Sequence, residues 1–165
     1  MRWGLVICAV LVAQIRGFDA DGAVLLGFVD SVTRFALERA VAGASRRLTE
    51  PQCRLVLSDF SDASGRTLSA ILAATGKDVA ASLAPLRFID DAGAAQCRRG
   101  ATLAFAEPGG HVIHVCGPRF KARFIIDHAA AEIIVIHEFL HVLGLGENPP
   151  TSEAITARVV ARCSD

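Results

Sequence analysis

The segment that most constrains the fold lies between residues 129 and 150 and reads AAAEIIVIHEFLHVLGLGENPP. Its first half is apolar on every side of a helix, a pattern typical of a helix buried inside a domain. We predict a helix over roughly 127–143, ended by the glycine- and proline-rich turn that follows. A chain of 165 residues has room for one modest core. We therefore expect this helix to lie at the centre of that core.

Two histidines and a glutamate interrupt the apolar helix at His137, Glu138 and His141. Burying such groups without partners costs several kcal/mol, so something has to satisfy them. His137 and His141 project from one face of the helix, where both imidazoles can reach a single tetrahedral zinc ion. Glu138 is offset by one residue, which places it to take a proton from water. The alternative is a His–Glu–His group that is hydrogen-bonded within the core and binds no metal.

The turn after the helix offers a third ligand. Gly144 follows His141 by three residues, and glycine can adopt the left-handed conformation that turns the chain back. Glu147 then lies six residues beyond His141. We therefore expect His137, His141 and Glu147 to bind one Zn²⁺ ion and to leave one position open for water.

The pattern HExxHxxGxxE resembles that of the zincin superfamily of zinc metallopeptidases, with the compact metzincin-type spacing. HEFLHVLGLGENPP is also similar to a group of small exported bacterial proteins with the signature HExLHxLGLGENPP, and DFSDASGRTL near residue 60 fits the same group. The resemblance implies a metallopeptidase in which Glu138 is the general base. Thermolysin-like zincins take their third ligand from a separate, later helix, which makes Glu153 the runner-up to Glu147.

Two features of related enzymes are missing from this sequence. Metzincins have a methionine turn beneath the metal, whereas the only methionine here is Met1. Many metallopeptidases stabilise the oxyanion with a tyrosine or a further histidine, and this chain contains no tyrosine. His114 and His111 are therefore the candidate oxyanion stabilisers. His128 is a further candidate, and Arg119 and Arg123 come after the histidines.

Peptide-bond hydrolysis by a zinc-activated water is the function that these residues predict best. A zinc amidase acting on cell-wall peptides or other amides would use the same residues, and a non-catalytic exported protein with a structural zinc is a third interpretation. Seventeen basic residues balance seventeen acidic ones, so no global basic field favours a nucleic acid or an anionic membrane as partner. We expect a peptide or protein substrate and a monomeric protein.

The N-terminus has the features of a secretory signal peptide. Met1–Ala13 reads MRWGLVICAVLVA, in which Arg2 precedes an apolar run of about ten residues, half of what a membrane span needs. We expect a signal peptide over residues 1–20, cut after Ala13, Gly17 or Ala20, and one domain over residues 21–165. A buried N-terminal strand is the alternative. The signal peptide predicts a secreted or periplasmic protein that has no membrane span once it is removed.

The rest of the sequence predicts an α+β domain, in which a mixed sheet with a β-hairpin packs on the buried helix. An amphipathic helix is predicted from Val24 to Glu50, with an apolar stripe at Val24, Leu25, Phe28, Val29, Val32, Phe35 and Ala36. Further helices are predicted over roughly 66–75 and 78–84, and after Thr151 or Ser152. Strands are predicted at 55–60 and 86–89, and as hairpin arms at 102–106 and 111–116. A type II turn at Pro108-Gly109 would pair Ala106 with His111 and Leu103 with His114.

Removal of the signal peptide removes Cys8 and leaves four cysteines, Cys53, Cys97, Cys116 and Cys163. A small exported domain with four cysteines typically has two disulfides, for which three pairings exist, whereas a cytosolic domain would keep buried free thiols. Cys97 precedes the predicted hairpin and Cys116 ends it, so this pair can form a bridge. Cys163 shares the apolar face of the last helix with Ile155 and Val159, which leaves Cys53 as its partner. No CxxC or CxxH pair is present, which argues against a cysteine-ligated zinc.

Overall fold

The computed structural model describes residues 24–28 and 30–164, so the predicted signal peptide and Cys8 lie outside the described residues. Over the described part the chain is a mixed α+β domain, as predicted. The strands are β1 (Val24–Leu26), β2 (Arg87–Asp90), β3 (Ala104–Ala106) and β4 (Val112–Val115). The helices are α1 (Ser31–Thr49), α2 (Pro51–Arg54), α3 (Val56–Asp59), α4 (Leu68–Ala74), α5 (Val79–Leu83), α6 (Ala95–Arg98), α7 (Gly117–Ile126), α8 (His128–Val142) and α9 (Ser152–Cys163).

The four strands form one sheet in the order β1-β2-β4-β3. β1, β2 and β4 are parallel, whereas β3 runs antiparallel to β4 and forms an edge of the sheet. Along β4 the burial alternates: Ile113 and Val115 are buried, and Val112 and His114 are half-buried. Since side chains alternate between the two faces of a strand, one face of the sheet packs on the core and the other is partly open to solvent.

Helix α8 lies at the centre of the fold, as its apolar sequence predicts. It packs against α1, α7, α9 and the hairpin strands β3 and β4. Its N-terminus is capped by Asp127, whose Oδ1 accepts the N–H of Ala130 at 3.0 Å. Six of its apolar side chains belong to the core: Ala131, Ile133, Val135, Ile136, Phe139 and Leu140.

The predicted start of the first helix was wrong. Val24–Leu26 pairs with β2 as a strand, and α1 begins only at Ser31, after the N-cap Asp30. The predicted stripe was wrong in part: Phe28 and Ala36 are buried, whereas Val32 and Phe35 are 51% and 56% exposed. The face that α1 buries consists largely of small residues, Ala36, Ala40, Gly43 and Ala44, together with Thr33, Leu37 and Leu48. Small side chains allow two helices to approach closely. The prediction followed mainly the large apolar residues and therefore missed this face of small ones.

Residues 55–60 form no strand, contrary to the prediction. Pro51 at the first position of α2 begins a helical segment, and Val56–Asp59 continues it as α3. Val56 and Leu57 are buried next to each other while Leu55 is exposed, so the segment lacks the alternation of a strand. A short apolar run does not by itself distinguish a buried strand from a buried helical turn.

The helices predicted over roughly 66–75, over 78–84 and after Thr151 or Ser152 are confirmed as α4, α5 and α9. Thr67 caps α4, Asp78 caps α5 and Thr151 caps α9, each accepting a backbone N–H with its side chain. β2 lies within one residue of its prediction. Helices α6 and α7 were not predicted. Gly117-Pro118 begins α7, because proline suits the first turn of a helix, where no N–H is needed.

The hairpin forms, but its register differs from the prediction by two residues. Phe105 pairs with His114 and Ala106 with Ile113, so His111 lies outside the ladder. The tip of the hairpin is bound to another element: the N–H of Gly109 donates to the carbonyl of His141 at the end of α8, at 2.9 Å. This contact draws the turn toward α8 and leaves a longer loop between the two arms than a two-residue turn would give.

Both predicted disulfides are present. Cys53–Cys163 joins α2 to the end of α9 across 110 residues of sequence, and Cys97–Cys116 joins α6 to the end of the hairpin. Within the described part of the chain, no helix has both the length and the apolar character needed to cross a membrane.

Candidate metal centre

Two imidazoles converge on one face of α8. His137 and His141 lie one helical turn apart, and their Nε2 atoms are 3.1 Å from each other. Both side chains are almost fully buried. The predicted proximity of these two residues follows from the four-residue spacing alone, because residues i and i+4 share one face of a helix.

The opposite ring nitrogens have partners that fix the orientation of both rings. His141 Nδ1 donates to the carbonyl of Leu145 at 2.6 Å, and His137 Nδ1 is hydrogen-bonded to Thr156 Oγ1 at 2.9 Å. Because a carbonyl only accepts, the proton of His141 is on Nδ1 and its Nε2 offers a lone pair. Such outer partners are what metal-ligating histidines ordinarily have.

The turn after α8 brings a carboxylate to the same point. Gly144 has a φ of 110°, a conformation that favours glycine, and its N–H donates to the carbonyl of His141 at 2.8 Å. The buried Leu145 holds the returning chain against the core. As a result Glu147 Oε1 lies 3.3 Å from His141 Nε2 and 3.7 Å from His137 Nε2.

The three ligand atoms of His137, His141 and Glu147 lie within 4.8 Å of one another, a group that could hold a metal ion. Burial and, to a smaller extent, the neighbouring His141 lower the pKa of His137 to about 4, while Glu147 acts in the opposite direction. His137 is therefore neutral at pH 7, as a metal ligand must be. Two imidazoles and one carboxylate form a donor set that suits zinc.

Glu138 lies beside this group and is 5% exposed. Burial raises its pKa to about 8, the negative charge of Glu147 raises it too, and a hydrogen bond from the backbone N–H of Ala106 acts in the opposite direction. Among the described residues its Oε2 atom has no hydrogen-bond partner. A buried oxygen without a partner is costly, and this oxygen is free to bond to a group from outside the described residues.

A cleft of about 680 Å³ opens over the group. Its floor is α8, one wall is formed by β3 with the residues on either side of it, and the other wall by Glu147 and the first turns of α9. The residues that line it are Gln96, Ala101, Thr102, Leu103, Ala104, Phe105, Ala106, Glu107, Pro108, Ile134, His137, Glu138, His141, Glu147, Ser152, Glu153 and Thr156. His137, His141 and Glu147, called the metal-binding group below because they could hold an ion, are thus reached from solvent through a cleft bordered by an edge strand.

The runner-up ligand Glu153 lines the cleft but does not join the group. It lies in the first turn of α9 and is exposed. Hydrogen bonds from its own backbone N–H and from Thr151 lower its pKa. The structure therefore brings Glu147, and not Glu153, to the two histidines.

The histidines expected to stabilise an oxyanion lie elsewhere. His114 is on the side of β4 opposite the buried Ile113 and Val115; its ring stacks on Phe105, and its Nδ1 is 3.0 Å from Asp91 Oδ2. His111 precedes β4, and neither residue is among those that line the cleft. The alternation of side chains along β4 separates His114 from α8, which packs on the other face.

Three contacts of the site were not predicted from the sequence: the Thr156 hydroxyl, the Leu145 carbonyl and the Ala106 N–H. The backbone groups leave no signal in the sequence. Thr156 is the one hydroxyl residue between Glu153 and Cys163, next to the inward-facing Ile155. A polar residue at the border of a buried helix face is the signal that could have identified it.

The chain matches no protein-family model, no curated protein and no solved structure. Its function therefore has to be inferred from the residues of the cleft.

Proposed function

We propose that the protein is an exported zinc-dependent hydrolase of the zincin type that cleaves peptide bonds. In this proposal His137, His141 and Glu147 hold the zinc ion and Glu138 is the general base. The observation that supports it most directly is the convergence of three ligand atoms within 4.8 Å beside a buried carboxylate oxygen that has no partner.

The openness of the site favours a catalytic ion over a structural one. Structural zinc sites are closed by four protein ligands, whereas catalytic sites keep three and leave one position for water or substrate. In the part of the chain that the structure describes, three ligating side chains converge, and they face a cleft of about 680 Å³. A non-catalytic protein with a structural zinc would need neither the cleft nor the unpartnered Glu138.

The chemistry divides between the ion and Glu138. A bound zinc ion supplies Lewis acidity, which lowers the pKa of water and polarises a substrate carbonyl. Glu138 Oε2 accepts the proton from the attacking water and delivers it to the leaving amine. Its pKa of about 8 describes the side chain without a cation nearby. A positive charge within a few ångströms favours the ionised carboxylate, which is the form a general base needs.

The edge of the sheet supports a peptide as the substrate. β3 is the last strand of the described sheet, and its residues line the cleft next to Glu138. An edge strand presents unpaired backbone N–H and C=O groups, which can pair with an extended peptide. A small amide without an extended backbone would gain nothing from this edge.

The two disulfides support export, because such bonds form and persist in oxidising compartments. The predicted signal peptide has the same implication. A secreted or periplasmic location follows from the two together.

The proposal is tested with protein produced from about Asp19 onward under oxidising conditions. We expect one zinc ion per chain, cleavage within a peptide library, loss of cleavage on chelation and recovery on adding zinc. Glu138→Gln should keep its zinc and lose turnover, whereas Glu38→Gln, an exposed change on α1, should leave both unchanged. Zinc near zero in the wild type would refute the proposal, and turnover by Glu138→Gln would refute the mechanism. Cleavage of non-peptide amides alone would favour the amidase interpretation.

A further inference from the structure

The cleft has an excess of negative charge. Four glutamates line it, Glu107, Glu138, Glu147 and Glu153, and no lysine or arginine is among the described lining residues. The chain as a whole is neutral, with equal numbers of acidic and basic residues. The charge imbalance is therefore a local property of the cleft.

Two of the four carboxylates are accounted for by the metal-binding group. Glu147 is a member of it, and Glu138 lies next to it on α8. Together they offset the two positive charges of a divalent ion. Glu107 and Glu153 then remain as negative charges for which the metal-binding group offers no counterpart.

Neither of these two residues is neutralised by the rest of the described chain. Acidic groups elsewhere form ion pairs, such as Asp30 with Lys121 and Asp59 with Arg162. Within the described residues no lysine, arginine or histidine lies within salt-bridge distance of Glu107 or Glu153. Both are exposed, so their charges face the solvent in the cleft.

Glu107 and Glu153 belong to opposite walls. Glu107 directly follows β3, and Glu153 lies in the first turn of α9. Both line the cleft that also contains His137, Glu138, His141 and Glu147. A concave site lined by charges of one sign raises the local concentration of ligands of the opposite sign. Glu138 Oε2, buried at the same cleft, has no hydrogen-bond partner among the described residues, which is a second indication that the cleft receives a ligand.

On the basis of the proposed function, we propose that the cleft selects peptides with a lysine or arginine side chain close to the bond that is cleaved, and that Glu107 and Glu153 provide this selectivity. Both are specificity residues and not catalytic residues. A peptide with acidic side chains at the same positions is repelled by both walls.

The test compares two series of quenched fluorescent peptides that are identical except for lysine or glutamate at each position near the cleaved bond. The zinc-loaded wild type should cleave the lysine series with the higher kcat/KM, and added salt should reduce the difference. Glu107→Gln and Glu153→Gln should each reduce the lysine-to-glutamate ratio by about two- to fivefold, the range for exposed charge pairs. Glu38→Gln should leave the ratio unchanged, and zinc content should be the same in all four proteins.

A binding measurement separates this inference from the proposed hydrolysis. The zinc-loaded Glu138→Gln variant, titrated with the same peptides, should bind the lysine series more tightly. Tighter lysine binding that depends on Glu107 or Glu153, in a wild type that cleaves nothing, would uphold the selectivity and refute the hydrolysis. Cleavage with equal rates for both series, or a ratio that neither variant changes, would overturn the selectivity and leave the hydrolysis standing. Absence of both binding and cleavage would overturn both.

Discussion

Thr156 Oγ1 and His137 Nδ1 are hydrogen-bonded at 2.9 Å, so a residue of α9 orients His137, a proposed zinc ligand on α8. The position of α9 is itself fixed from several sides. Cys163 at its end is bridged to Cys53, Arg162 binds Asp59 at 2.7 Å, and the carbonyl of Cys163 accepts from Arg47. The disulfide and these contacts therefore fix the position of the Thr156 hydroxyl, which in turn orients the His137 ring.

Replacing Thr156 tests this relationship directly. Thr156→Val keeps the shape of the side chain and removes the hydroxyl, so His137 loses its outer partner. We expect zinc to bind about 10–100-fold more weakly, the usual effect of losing such a partner. Thr156→Ser should restore most of the affinity. Competition with a fluorescent chelator measures both, and equal affinity in Thr156→Val and wild type would show that the contact does not position His137.

The identity of the third ligand gives a second prediction. Glu147→Gln should weaken zinc binding by more than the roughly 10–100-fold caused by loss of an outer partner, because it removes a charged ligand. Glu153→Gln is the matched control and should retain wild-type zinc affinity, since Glu153 lies outside the group of three. Zinc per chain after dialysis distinguishes the two. The opposite result would make Glu153 the ligand.

The buried titratable groups predict how the stability of the metal-free protein depends on pH. Folding raises the pKa of Glu138 from 4.5 to about 8, so the stability it contributes is present below pH 4.5 and is lost as the pH rises toward 8. Folding lowers the pKa of His137 from 6.5 to about 4, so its contribution is present above pH 6.5 and is lost as the pH falls toward 4. Between pH 4.5 and pH 6.5, the ordinary pKa values of Glu and His, the two groups change the stability in opposite directions as the pH rises. Above pH 6.5 the change comes mainly from Glu138.

We therefore expect the free energy of unfolding of the metal-free wild type to fall by about 1 kcal/mol between pH 6.5 and 8. Glu138→Gln removes the titrating group and should abolish most of this decrease. Urea unfolding in the presence of a chelator measures both proteins. A wild type that becomes more stable over this interval would contradict the prediction.

Gly144 gives a prediction about the turn that positions Glu147. Alanine at this φ of 110° is strained, and its Cβ would lie 3.3 Å from the Cβ of Asp62. Gly144→Ala should cost about 1–3 kcal/mol of stability and weaken zinc binding, because Leu145 and Glu147 follow in the same turn. Gly146→Ala is the control, since nothing lies within 4 Å of its added Cβ. Similar losses in both variants would show that the φ of Gly144 is not the cause.

The long-range disulfide gives the last prediction. Replacing Cys53 and Cys163 together by alanine frees a loop of 110 residues and should reduce the free energy of unfolding by about 2–5 kcal/mol. The same change at Cys97 and Cys116, which are 19 residues apart, should cost less. Chemical unfolding of the two double variants checks the order, and a reversed order would contradict the expectation.

The sequence alone determined the features that depend on neighbouring residues. The approach of His137 to His141 follows from the rise of one helical turn, and the return of the chain to Glu147 follows from a glycine at the right distance. The caps at Thr67, Asp78 and Thr151 are equally local. The two disulfides were predicted from the position of Cys163 on the inward face of the last helix and from the positions of Cys97 and Cys116 before and after the hairpin.

Only the tertiary structure decided the features that depend on which elements meet. Residues 55–60 are helical because the segment continues from α2 and pairs with no strand of the described sheet. The hairpin register reflects a hydrogen bond between Gly109 and α8, and His114 is excluded from the cleft by the side of the sheet on which it lies. Thr156 reaches His137 because α9 packs against α8. Contacts of this kind join residues far apart in sequence, and their free energy depends on packing that no local pattern specifies.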